Sequence, residues 1–405
     1  MDARTVGHML RRAHRIATAE RPGPVHLTTN ADTLSRPAGD VADVPPVGPC
    51  TGIAGVLGGS GRDVLAAIDR ARKPVALVGP AVVRGAATDA LRRYVERTTT
   101  PVVVSPMAKG ALDERHPCFV GTIDMACGPV IHELLAASDL VLAIGFDPAE
   151  LIKSLPSAPV LHIDAIENMD QVYPADLEVV GAIGATLEWM TGAVADGARW
   201  TEAAIAAIRL RIRDGMRVGA VAGRLNPSDV LDVLVAETPD DAIVTTDVGS
   251  HKLLFGQGWP SQLPRRFLVT NGLSAMGFAL PAGIAAQLRH PELPVVVTVG
   301  DGGFAMVAGE LQVAASLGLE LSVVVLVDES LNRIELKQQV RDYPSVGTRI
   351  DPSDIARVAE GFGCVGATAT TPAELHSVLA APRPAGQPLV VDARIDPAQY
   401  RAQFS

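Results

Sequence analysis

Two aspartates draw attention by where they fall. Asp301 sits in Gly300-Asp301-Gly302-Gly303-Phe304, between the apolar run Val295–Val299 and a helical pattern. Asp328 closes the next apolar run, Leu321–Val327, 27 residues further on. Glycines that open a helix let backbone N–H groups approach a phosphate, and the helix dipole favours the anion. An aspartate inside such a loop repels a phosphate unless a cation lies between them, and a hard divalent ion with oxygen ligands resolves the conflict. Neighbouring parallel strands deliver their C-terminal residues to one place, so Asp301 and Asp328 can share one ion. Each alone also reads as a helix cap or a turn residue; the spacing across one strand-helix-strand unit is what joins them. Thr246-Asp247-Val248-Gly249-Ser250-His251 is a further strand end of the same kind.

Such loops need a parallel sheet to hold them. Strands are expected in a first block at Val75–Val78, Pro101–Val104, Leu140–Ile144 and Val160–Ile163. A second block offers Ala242–Thr246, Phe267–Thr270, Val295–Val299, Leu321–Val327 and Pro388–Val391. Helical patterns alternate with them, in the second block at Ala275–Leu288, Phe304–Leu317, Pro352–Phe362 and Pro372–Leu379. The alternation predicts an α/β chain of two three-layer, parallel-sheet domains with right-handed crossovers. They are expected over 61–192 and 226–405, joined across 193–225 by a polar helix from Thr201 to Arg217. Val6, Met9, Leu10, Ala13, Ile16 and Ala17 mark a helix, Arg21-Pro22-Gly23-Pro24 stops it, and Val25–Thr28 reads as a strand. One helix and one strand cannot make a domain, so 1–36 is expected to be the remnant of a third. Eleven Gly or Pro residues from Pro37 to Gly61 mark 37–60 as a linker.

Composition narrows the function classes. At roughly 150 residues per domain, 405 residues make between two and three domains. A net charge of −10 without a Lys/Arg block argues against nucleic acid. No apolar run approaches the ~18 residues of a membrane span, and no secretory signal stands at the N-terminus. The Arg-rich stretch Arg4–Arg15 is read as a structural helix rather than a transit peptide. Cys50, Cys118, Cys127 and Cys364 lack CxxC spacing, which speaks against a disulfide frame or a zinc site. A cytoplasmic protein is expected. Gly79 to Gly85 lacks the GxGxxG pattern of a dinucleotide site, so an NAD-binding reading rests on fold analogy alone.

Gly300-Asp301-Gly302 ahead of Asp328 resembles the diphosphate and magnesium motif of thiamine-diphosphate-dependent enzymes, in particular the acetolactate synthase-like branch. Further likeness runs through Asp247-Val248-Gly249, Asn271 to Phe278, Leu280-Pro281-Ala282, Pro106 to Gly110, His116-Pro117 and Gly145-Phe146-Asp147. The resemblance implies thiamine diphosphate and Mg²⁺ as cofactors. It implies Asp301, Asp328 and the Ser330 carbonyl as metal ligands, and Gly302 and Gly303 as amide donors to the diphosphate, with Gly300 in the same loop. Asp247, Gly249, Ser250 and His251 would lie beside it. Met276 would hold the cofactor bent, and the Ser274 carbonyl would hold its amino group. Read without the resemblance, Met276 is a core residue and His251 an ordinary helix-start histidine. Lys109 is expected to be a solvated loop lysine.

The chain departs from that pattern in three places. Asp328 stands where the family usually has Asn. Gly145-Phe146-Asp147-Pro148 replaces the Arg-Phe-Asp stretch of the FAD-binding branch, which leaves FAD without support. The Gly-Glu stretch that supplies the family's activating glutamate is absent ahead of the central domain, and Glu20, beside Arg21-Pro22, is no substitute. The expectation is therefore the larger subunit of a split, acetolactate synthase-like carboligase or decarboxylase. A small separate pyrimidine-binding subunit would supply the glutamate, with self-association into a heterotetramer. The alternatives are a decarboxylase of the sulfopyruvate or phosphonopyruvate type, and a non-catalytic cofactor-binding paralogue.

Overall fold

The computed structural model describes residues 5–37, 60–147, 155, 158–168, 173–195 and 197–403. The first sheet holds β1 (Pro74–Val78), β2 (Val102–Val104), β3 (Phe119–Thr122), β4 (Leu140–Ile144), β5 (Val160–Asp164) and β6 (Leu177–Val180). Its order is β3-β2-β1-β4-β5-β6, and every pairing is parallel. The second holds β7 (Ile243–Thr246), β8 (Phe267–Val269), β9 (Val295–Gly300), β10 (Ser322–Val327), β11 (Val365–Ala369) and β12 (Leu389–Arg394). It is likewise all-parallel, in the order β11-β12-β10-β9-β7-β8. Helices cover both faces, so the central strands β1, β4 and β7 are buried at every residue. That double coverage is why they read as unbroken apolar runs.

Three strands are absent from the sequence expectation: β3, β6 and β11. All three are sheet edges. Two of them have a wetter face and a less apolar sequence: β6 is Leu177-Glu178-Val179-Val180 with only Val179 buried, and β11 is Val-Gly-Ala-Thr-Ala; β3, Phe-Val-Gly-Thr, is buried throughout but only four residues long. The expected helix Phe304–Leu317 is three pieces, broken by a short 3₁₀ turn at Ala308–Glu310.

Two expectations at the front of the chain change. Helix α1 (Val6–Thr18) is present, but Val25–Thr28 is not a strand and has no ladder partner among the described residues. An isolated extended segment cannot satisfy its own backbone groups as a sheet does. Glu20 is ion-paired to Arg84 of the first domain, with Nε to Oε1 at 3.0 Å. The expected linker over 37–60 and Cys50 lie almost wholly outside the described residues, as does Pro148. Cys118, Cys127 and Cys364 are buried free thiols.

Lys109 is a correction. It is buried, its Nζ donates to Glu114 Oε2 at 2.7 Å, and it lies 5.2 Å from the centre of the Phe267 ring. Burial pushes Lys109 down and Glu114 up, and their contact opposes both shifts. The lysine is withdrawn from solvent because its loop is the joint between the domains. The Glu114 amide donates to the Ser261 carbonyl and the Ser261 amide returns a bond to Glu114 Oε2, each at 3.2 Å. Gly110 has φ +80°, and a Cβ there would sit 2.1 Å from the Leu263 carbonyl oxygen. From the connecting helix α2 (Glu202–Gly215), Arg209 donates to the carbonyls of His116 and Glu114. Removing one member of a buried pair leaves the other charge uncompensated. Lys109→Met should therefore cost about 3–5 kcal/mol in urea unfolding, with most of the loss recovered in Lys109→Met/Glu114→Gln.

Candidate functional site

β10, β9 and β7 lie side by side, with Leu326 opposite Gly300 and Thr246 opposite Thr298. Asp247, Asp301 and Asp328 thus leave the same edge of the sheet. From β7 the chain moves outward to β8, and from β9 it moves the other way to β10. The crevice between β7 and β9 is a topological switch point, where open parallel sheets bind ligands. A cavity of about 200 Å³ lies there. Its wall includes Gly249, Ser250, His251, Met276, Gly300, Asp301, Gly302, Gly303, Asp328 and Ser330. Ten of the twelve site residues expected from sequence are brought together.

The other two, Asp247 and Ser274, stand off the wall. Asp247 is fully buried, and its two oxygens accept from the amides of Gly277 (2.8 Å) and Phe278 (3.1 Å). It pins the turn that presents Met276. Gly303 lets this happen, because a Cβ there would lie 2.2 Å from Asp247 Oδ2. Ser274 is held with φ +48° by a buried lysine behind it: Lys252 Nζ donates to the Thr270 carbonyl (2.7 Å) and the Ser274 hydroxyl (3.3 Å).

The acidic end is built by backbone geometry. Asp301 opens helix α5 (Asp301–Val307), following α3 (Ser250–Gly258) and α4 (Ala279–Arg289). Its Oδ1 accepts from the Gly302 amide at 2.8 Å and its Oδ2 from Glu329 at 2.7 Å. The Gly302 amide is therefore turned to the carboxylate beside it rather than to the cavity, because that is the nearest strong acceptor. Glu329 takes φ +56°, which turns the chain after β10. The following bridge to Thr348 and Ile350 uses the Glu329 carbonyl and the Leu331 amide, and leaves the Ser330 carbonyl out of it. Burial and the neighbouring Asp301 push Asp328 up to about 8; burial also raises Asp301. Two buried carboxyls held above their ordinary range side by side are what a divalent cation relieves. No group of three or more His, Cys, Asp or Glu side chains is arranged for a metal among the described residues, so a cation here rests on two carboxylates and backbone oxygen.

His251 faces the same space. It is buried, pushed down to about 4 mainly by desolvation, and so neutral at pH 7. Its Nε2 has no hydrogen-bond partner. Gly249 and Gly300 make room for its ring: a Cβ at either would lie 2.7 or 3.2 Å from Cε1. A Cβ at Gly302 would lie 2.8 Å from Leu331 Cδ2 and 3.4 Å from Met276 Cε. A Cβ-free floor and two buried carboxyls raised above their ordinary range suit an oxyanion with a metal on it. The donor set fits a magnesium diphosphate.

Several wall residues escaped the sequence reading: Leu331, which caps helix α6 (Asn332–Val340), Asn332, Arg333 and Lys337 within it, and Ile395 and Tyr400 from the C-terminal segment. Ser250 Oγ donates to Asn332 Oδ1 at 2.8 Å. The first group follows Asp328 directly and could have been found by extending the second aspartate's loop into its helix. Tyr400 carried no local signal; only folding brings it near Asp301 and Asp328, whose charges together with burial hold its hydroxyl well above its ordinary range.

Comparison with known proteins agrees with this geometry. Residues 247–393 match the family "Thiamine pyrophosphate enzyme, C-terminal TPP binding domain", and residues 62–190 match "Thiamine pyrophosphate enzyme, central domain". Together they cover more than half of the chain. Acetolactate synthase of Bacillus subtilis is 27% identical over 409 residues, covering 98% of this chain and 71% of that protein. A probable 2-ketoarginine decarboxylase of Pseudomonas aeruginosa is 31% identical over 373 residues, covering 88% and 64%. An X-ray structure described as a thiamin diphosphate-dependent enzyme from Mycobacterium smegmatis shares the fold, with TM-score 0.73, 24% identity, and coverage of 98% of this chain and 75% of that one.

The contact of Gly303 with Asp247 yields a direct expectation. Gly303→Ala forces either the helix start or the buried carboxylate to move, at a cost of about 1–3 kcal/mol for an overpacked site. Urea unfolding should show that loss, whereas Gly309→Ala, with open space around its Cβ position, should change stability far less.

Proposed function

Since the chain belongs to the thiamine pyrophosphate enzymes, we propose that it is the cofactor-binding subunit of an acetolactate synthase-like 2-oxo-acid carboligase. The observation that carries this is the juxtaposition of Asp301 and Asp328, at the ends of adjacent strands, with the unpartnered Nε2 of His251. Asp301, Asp328 and the Ser330 carbonyl would hold Mg²⁺, and His251, Ser250 and the Gly303 amide would face the diphosphate. When bound, the cofactor supplies an electron sink for loss of CO₂ from a 2-oxo acid.

This chain's own contribution is binding and orientation. His251 contributes a neutral ring at the cavity, adding no charge to the metal's surroundings. Asp247 fixes Gly277 and Phe278, and so fixes Met276 against the cavity. Lys252 fixes the Ser274 turn. Asp328 in place of asparagine keeps an oxygen ligand and adds negative charge, which favours a hard divalent ion.

The activating glutamate would come from a second, small pyrimidine-binding polypeptide. The cavity of about 200 Å³ is smaller than the 300–1,000 Å³ usual for a small-molecule site. Leu273 is fully exposed, and Met306, Ile334, Val340, Tyr343 and Val346 are exposed as well. Apolar side chains so placed support closure by another chain and assembly into a heterotetramer. A cytoplasmic location is proposed with it. No helix among the described residues is long and apolar enough to cross a membrane. Decarboxylation without carboligation is the second reading, favoured by the relative named a probable decarboxylase.

Calorimetry tests the site and turnover tests the reaction. Thiamine diphosphate should bind only with Mg²⁺ present. Asp301→Ala should weaken binding at least 100-fold, whereas Asp328→Asn should stay within about tenfold, since the amide oxygen still ligates. Undiminished binding by Asp301→Ala removes the metal assignment. The purified chain should turn over pyruvate poorly alone and gain activity with its small partner; mass spectrometry of the product separates acetolactate from acetaldehyde. Full activity of the isolated chain removes the split-enzyme reading.

A further inference from the structure

The cavity carries more positive charge than its acidic floor suggests. Arg333 and Lys337 both line it, four residues apart on α6. Positions i and i+4 share one helix face, so the two cations form a row. At 1.5 Å per residue, Lys337 lies about 6 Å further along the helix, away from Asp328 and Ser330. The only acid on α6, Glu335, is not on this wall: it is buried, accepts the Ser330 hydroxyl at 2.6 Å and pairs with Arg349 at 3.3 Å. Arg333 is half-buried and Lys337 exposed, as expected of groups placed progressively nearer the mouth. The apolar wall residues Leu331 and Ile334 flank them.

Resting on the function proposed above, we infer that this wall selects a 2-oxo acid bearing a second anionic group, a carboxylate, sulfonate or phosphonate, over a monoanionic one. The metal, His251 and the glycine loop meet the diphosphate at the inner end. Lys337, a full helical turn out, meets what enters after it. Arg333 stands between the two. A wall of this sign disfavours a substrate with a cationic side chain, so the chain parts company on substrate from a 2-ketoarginine decarboxylase. Lys337 acts here as a specificity-determining residue.

The test uses the chain loaded with Mg²⁺ and thiamine diphosphate, together with its small partner where turnover is read. The probes are pyruvate, 3-phosphonopyruvate, 2-oxoglutarate and 2-ketoarginine. Equilibrium binding is read by calorimetry on protein loaded with an inert cofactor analogue, and kcat/KM by product formation. The wild-type protein should favour a dianionic probe over pyruvate at least tenfold and reject 2-ketoarginine. Lys337→Met should remove about tenfold of that preference, leave pyruvate within twofold and leave cofactor affinity within twofold; Lys337→Arg should retain the preference. Equal loss for pyruvate and the dianions overturns the proposal. So does a tenfold loss of cofactor affinity in Lys337→Met, which would assign the row to the diphosphate. Lys337 is exposed, so its variants keep the fold even where Arg333→Met does not. Absence of any heat with thiamine diphosphate and Mg²⁺ overturns the functional reading itself, and is seen before any substrate is added.

Discussion

The structure depends on two carboxyl groups of like charge brought to neighbouring ends of one parallel sheet. Burial raises both Asp301 and Asp328, and the charge of Asp301 adds to it at Asp328, which is pushed up to about 8. A protein can keep such a pair only if something else cancels the charge or if both groups stay partly protonated. Backbone amides of Gly302, Glu329 and Ser330 take part of the load. A divalent cation held between the two carboxyls would cancel more of it. The glycines follow from close packing around the pair, because Cβ atoms at Gly249, Gly300, Gly302 and Gly303 would meet His251, Leu331 and Asp247.

Around this pair the polar groups are arranged by depth. Asp247 lies deepest and touches no ligand space; it holds the turn at Gly277 and Phe278 and so sets the height of Met276. His251 comes next, neutral because it is desolvated. Arg333 and Lys337 lie outermost. The sequence of buried acid, neutral imidazole and exposed cation grades the cavity from rigid scaffold to solvent. The joint between the domains uses the same physics for a different end. Lys109 and Glu114 are buried as a contacting pair, and the Ser261 amide completes them. An ion pair so placed specifies one docking geometry, because any slip leaves a charge in apolar surroundings.

Much of this was legible in the residues themselves. Val295–Val299 and Val323–Val327 carry the unbroken apolar pattern of central parallel strands, and the glycine loop after the first marks a helix start suited to an anion. What stayed hidden had weak local signals. β6 and β11 are edge strands with half-wet faces, and β3 is a short edge strand interrupted by a glycine. Lys109 looks like any loop lysine until the Ser261–Leu263 segment closes over it. Asp247 has the residue type of a ligand-binding acid, and only its distances to Gly277 and Phe278 show that it binds backbone instead.

By itself, then, the sequence determined the element types, the two-sheet layout and the placing of Asp301 and Asp328 at strand ends, because hydrophobic period and glycine position are local properties. Tertiary structure alone decided which strands are neighbours, and therefore which loops share a cavity. It moved Asp247 and Ser274 off the wall, brought Tyr400 from the far end of the chain toward the two acids, and placed Arg333 and Lys337 on the cavity wall. Those outcomes depend on sheet order and helix rotation, which are set by packing between segments remote in the chain.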